Sequence, residues 1–90
     1  MGDKMKIEVR KPTEEEKKEM ESCGIWEKEV SEFPWEYEDK ETCLLIDGEV
    51  EVETDKGSVK FGAGDYVIFP KGLKCTWKIK KPVKKYYKFG

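Results

Sequence analysis

Between Gly64 and Trp77 the chain packs two strands and their connecting turn into fourteen residues. Tyr66-Val67-Ile68-Phe69 is a run of β-formers, Pro70-Lys71-Gly72 supplies turn chemistry, and Cys75-Thr76-Trp77-Lys78-Ile79 alternates apolar with polar. Short strands joined this tightly pair antiparallel, because parallel neighbours need a long crossover. The same grammar fills the sequence upstream. Thr42-Cys43-Leu44-Leu45-Ile46 precedes Asp47-Gly48, which reads as a tight turn, and Val50 and Val52 alternate with Glu49, Glu51 and Glu53. Asp55-Lys56-Gly57 turns the chain, Val59 and Phe61 resume the alternation, Gly62-Ala63-Gly64 breaks it, and Val83 to Phe89 closes the chain.

Only the N-terminal part reads otherwise. Met5 to Arg10 alternates like an edge strand that Pro12 stops, and Thr13 with Glu16 forms a capping-box pattern opening a short helix from Glu14 to Met20. No helical period appears beyond residue 21. The expected fold is all-β, an antiparallel barrel of the jelly-roll kind with one short N-terminal helix, and residues 1–90 form a single domain.

Charge narrows the function. The 18 Lys and Arg nearly balance 20 Asp and Glu, a net −2, and the signs are interleaved. No broad basic surface announces a nucleic acid or an anionic membrane, so neither is expected as a partner. The lysines between Lys78 and Lys88 alternate with Trp77, Ile79, Val83, Tyr86 and Phe89 and are read as the solvated face of strands. Three cysteines without regular spacing give no disulfide framework, and with no secretory or long apolar segment the expected location is the cytoplasm. Asn and Gln are absent while Lys and Glu abound, a balance that suits a thermostable protein and that idealised design also produces.

Two sets of residues carry a resemblance. In the first, Glu41 and Gly48 flank a strand, with Trp35 and Tyr37 before it; in the second, Gly64, Asp65, Pro70, Gly72 and Cys75 follow one another. Their order is similar to the two motifs of the cupin barrels, and the resemblance implies the double-stranded β-helix of that family. More narrowly, Phe33-Pro34-Trp35-Glu36-Tyr37, Glu41-Thr42-Cys43, Phe69-Pro70-Lys71-Gly72-Leu73, Cys75-Thr76-Trp77 and Pro82 to Tyr87 resemble a branch of small single-domain cupins. That branch is related to ureidoglycine aminohydrolase and to an ethanolamine-utilisation protein, and most of its members have no assigned function. Cupins usually hold a divalent metal on histidines and a carboxylate. Here Trp35, Tyr37 and Cys75 stand in the histidine places, Tyr86 stands where the branch carries another histidine, and the chain has no histidine at all.

Strand alternation puts Trp35 with Tyr37, Cys43 with Leu45, and Cys75 with Trp77 on shared faces, and in the cupin register that face is the lumen. The leading expectation is a protein that binds a small organic ligand among Trp35, Tyr37, Glu41, Cys43, Cys75, Trp77 and Tyr86, without a tightly held metal or other cofactor. A carboxylate and a thiol are too few ligands for a closed divalent site. The alternative is a small hydrolase, lyase or isomerase using Glu41 and Cys75, with a weakly held divalent metal. The third reading is a structural or oligomerisation module. By family analogy a homodimer is expected, the N-terminal edge strand being covered by a second copy.

Overall fold

The computed structural model describes residues 6–90, so Met5 of the expected edge strand lies outside the described residues. The elements run β1 (Glu8–Arg10), α1 (Glu14–Glu21), β2 (Gly24–Lys28), β3 (Ser31–Glu36), β4 (Glu41–Thr54), β5 (Gly57–Gly62), β6 (Tyr66–Phe69) and β7 (Lys74–Phe89). The capping box at α1 is present in full, with Thr13 accepting from the Glu16 backbone and Glu16 accepting from the Thr13 backbone.

Two long strands organise the rest. β4 and β7 pair antiparallel along almost their whole length, Glu41 opposite Phe89 at one end and Glu53 opposite Thr76 at the other. The first half of β4 is extended by β6 and then β1, and the second half of β7 by β2. Beyond the middle of the pair, β5 joins β4 and β3 joins β7. The long strands therefore carry different partners on their two halves within one seven-stranded sheet, giving an antiparallel jelly-roll barrel, as the strand spacing predicts.

The middle of β4 corrects one expectation. Asp47-Gly48 is no turn: β4 runs through it, with register shifts between Leu45 and Val50. Bulges bend a strand without ending it. Opposite lies Pro82, which has no N–H to give the ladder and is tolerated where the ladder is already interrupted. Gly48 makes the close approach possible, since a Cβ there would lie 2.7 Å from the Pro82 carbonyl oxygen and 2.8 Å from the Val83 Cα.

The main core fills the barrel. Tyr37, Phe61, Phe69 and Trp77 stack or meet edge to face within it, and Val52, Val67, Leu45 and Ile79 complete the packing. A smaller cluster on the outer face holds α1 to the sheet through Met20, Leu44 and Tyr66. No helix among the described residues is long and apolar enough to cross a membrane.

Candidate functional site

One end of the barrel is unfilled. A cavity of about 260 Å³ opens there, walled by aromatic rings from three strands: Trp26 of β2, Phe33 and Trp35 of β3, and Trp77, Tyr87 and Phe89 of β7. Tyr37, in the loop after β3, and Glu41, the first residue of β4, close it from the other side together with Lys85. Trp35 and Phe89 stand at the mouth, 49% and 57% exposed, whereas Trp77 and Tyr37 are buried.

Lys85 is the residue the sequence reading missed. Alternation along the lysine-rich strand predicts a solvated side chain, yet Lys85 is 5% exposed and its ammonium sits inside the barrel. The physical reason is strand parity: β7 continues through Pro82, so Val83, Lys85 and Tyr87 share the face of Trp77 and Ile79. A lysine there needs partners, and it has them. Nζ donates to Glu41 Oε2 at 2.8 Å and to Cys43 Sγ at 3.2 Å, and lies 4.9 and 4.7 Å from the ring centres of Trp26 and Trp77. The Cys43 thiol in turn donates to Glu41 Oε2 at 3.1 Å.

The protonation states follow from these surroundings. Burial raises the Cys43 pKa, the neighbouring Lys85 offsetting only part of that rise, so the group is a thiol. Burial opposes the Lys85 charge, but the Cys43 sulfur and the Glu41 carboxylate outweigh that cost and hold its pKa above the ordinary 10.5. Burial likewise pushes the Cys75 thiol up to about 11 and raises the Tyr37 phenol, which accepts a hydrogen bond from Trp77 Nε1 at 3.0 Å. The cavity thus presents a carboxylate, an ammonium, neutral thiols behind its wall and a neutral phenol.

Of the residues singled out from sequence, Trp35, Tyr37, Glu41 and Trp77 line the cavity. Cys43 lies behind it against Glu41 and Lys85, and Cys75 lies in β7 opposite Trp35 without touching Glu41 through a hydrogen bond. The thiol hydrogen-bonded to Glu41 is therefore that of Cys43. Tyr86 points to the outer face, where it packs against the cluster of Met20, Leu44 and Tyr66, and its neighbour Tyr87 takes the inward place. Parity again decides it, since adjacent residues of one strand cannot share a face.

Among the described residues no three His, Cys, Asp or Glu side chains gather closely enough to hold an ion. The place beside Glu41 and Cys43 is taken by the chain's own cation, Lys85.

These thiol states make a labelling prediction. Iodoacetamide at mildly alkaline pH will alkylate Cys23, which is half-buried, well before Cys43 and Cys75, which are buried, and all three will react in denaturant. Peptide mass mapping checks the order. Rapid labelling of Cys75 would mean a thiol far more acidic and open than its surroundings make it.

Comparison with known proteins agrees with the architecture. A model of the EutQ-like cupin domain matches residues 15–87. A DUF861 family protein from Thermotoga maritima is 48% identical, covering 94% of this chain and 100% of its own, and superposes with a TM-score of 0.89. A DUF861 family protein of unknown function from Pseudomonas syringae is 29% identical over 71% of this chain and 28% of its own, with a TM-score of 0.65. The EutQ protein of Clostridium difficile, 24% identical over 90% of this chain and 64% of its own, superposes with a TM-score of 0.67 and shares the fold. No curated protein matches. With the family match running from α1 to Tyr87 through both long strands, and with a relative nearly half identical along its full length, this chain belongs to the family of EutQ-like cupin domains.

Proposed function

We propose that this cupin domain binds a small organic molecule, non-covalently and without a tightly held metal, in the aromatic end of its barrel. The observation that carries the reading is a cavity walled by aromatic rings and left unfilled around a paired Glu41 and Lys85. A purely structural barrel would be expected to close over those rings, because unfilled apolar volume forfeits packing energy. An aromatic box with a few convergent polar groups is the usual build of a ligand site.

Non-covalent binding is favoured over cysteine-dependent chemistry by the same geometry. Cys43 is a buried thiol and Lys85 a buried ammonium, so neither offers the unprotonated form a nucleophile needs. Glu41 Oε2 already accepts from both, which leaves Oε1 to meet a ligand.

The test is native mass spectrometry of protein purified without heating or denaturant. A small-molecule mass riding on the folded protein, absent after denaturation and lost in Trp35→Ala at the mouth, is the expected result. A bare folded mass, together with no calorimetric response to any aromatic fragment tested, would return the cavity to a packing defect.

A further inference from the structure

The ligand's charge and hydrogen-bonding edge can be argued from the same cavity, and this step rests on the binding reading above. Among the described residues the lumen holds one negative and one positive side chain, and they face each other at 2.8 Å. The other titratable groups around them are Tyr37, Tyr87, Cys43 and Cys75, and burial raises the pKa of Tyr37, Cys43 and Cys75, which keeps those three uncharged at neutral pH. The site's net charge is therefore zero. An anion entering it would bring an uncompensated charge among aromatic rings, at high cost, and a cation would find the ring faces of Trp26 and Trp77 already engaged by Lys85.

Unused hydrogen-bonding capacity gives the rest. Glu41 Oε1 accepts from no described residue, yet no buried side-chain nitrogen or oxygen among the described residues lacks a partner, so Oε1 must be open to the cavity. Lys85 has three N–H groups, of which two donate to Glu41 and Cys43. The Tyr37 hydroxyl accepts from Trp77 Nε1 and keeps its own proton free of acceptors among the described residues. An acceptor that is anionic and donors that lie beside it match a molecule presenting N–H next to C=O. The walls are flat rings, and at about 260 Å³ the space falls below the ~300–1,000 Å³ that holds drug-sized ligands.

We propose that the site recognises a neutral, planar compound of one or two rings carrying an N–H/C=O edge, a lactam or cyclic amide, with N–H donating to Glu41 and C=O accepting from Lys85 or Tyr37. The ion pair then works as a fixed dipole that reads that edge, and the rings of Trp26 and Trp77 serve as stacking surfaces.

Three probes with one ring framework test it by isothermal titration calorimetry: carbostyril, the neutral lactam; quinaldate, its anionic counterpart; and N-methylquinolinium, a cation. Carbostyril should bind at least about tenfold tighter than either ion, the size expected for one hydrogen bond to a charged group. The double variant Glu41→Gln/Lys85→Met, which keeps the volume and removes both charges, should lose about that factor for carbostyril. A charged probe binding as well as the lactam, or a double variant binding it undiminished, would overturn the lactam assignment and leave the binding reading standing. No heat from any of the three would overturn the lactam assignment, and only together with a bare folded mass in the native spectrum would it overturn the binding reading as well.

Discussion

Lys85→Met should destabilise the domain by about 3–5 kcal/mol, and Glu41→Gln should destabilise it to a similar extent, whereas the two together should cost less than either alone. The asymmetry comes from burial. Glu41 and Lys85 are 4% and 5% exposed, and the 2.8 Å contact between them compensates two charges that water cannot reach freely. Removing one leaves the other among the rings of Trp26 and Trp77 with its desolvation uncompensated. Removing both leaves neutral side chains of similar length in the same space. Urea unfolding of the four proteins closes a double-mutant cycle, and strong non-additivity is the expected outcome. Additive losses would mean that the two charges do not share one buried environment. The pH dependence has a definite sign. Because the folded Lys85 pKa lies above the ordinary 10.5, its share of the stability is fully present below that pH and disappears as the pH rises through the folded value. The Lys85→Met variant should therefore approach the parent's stability only in strongly alkaline solution.

That pair also marks where reading the sequence stops. The strands could be found because their alternation is local: Cys75, Trp77 and Ile79 declare one face, and Val50 with Val52 another. The same parity put Trp35, Tyr37 and Trp77 together, and the structure places all three around the cavity. A lysine among lysines has no such signature. Whether Lys85 can be inside depends on Glu41, 44 residues earlier, and on Cys43 beside it, and no window along the chain contains both partners. Tyr86 enters the expected site only because it stands where the resembling branch carries a histidine, and the parity that turns it outward requires that β7 be unbroken through Pro82. That in turn requires a bulge in β4 opposite, where Asp47-Gly48 has the composition of a turn and the geometry of a bend. Local chemistry reports that the backbone is special at such a site. Only the partner strand says whether the chain reverses there or continues.

The bend at Gly48 should be the least tolerant backbone position in the barrel. Gly48 has φ 110°, in the region that L side chains avoid, and an added Cβ would meet the Pro82 carbonyl oxygen at 2.7 Å and Val83 Cα at 2.8 Å. Both obstacles are backbone of the paired strand, so no side-chain rotation relieves them. Gly57 separates the two causes. It also has a positive φ, 125°, but a Cβ there would meet nothing within 4 Å. Gly57→Ala should therefore cost only the conformational strain, on the order of 1–2 kcal/mol, while Gly48→Ala adds the overpacking and should cost about 3–5 kcal/mol. In a domain of this size the second loss corresponds to a fall in Tm of roughly 12–30 °C, which differential scanning calorimetry resolves easily. The consequence reaches the cavity as well. Forcing β4 away from Pro82 pulls on β7 next to Val83, two residues before Lys85, and Glu41 lies at the start of the other strand. Where Gly48→Ala still folds, its carbostyril affinity should fall along with its stability. Gly57→Ala, at the start of β5 opposite the far end of β4, should leave that affinity unchanged. Equal stability losses in the two variants would show that the close approach of β4 and β7 is not what makes glycine necessary at the bend.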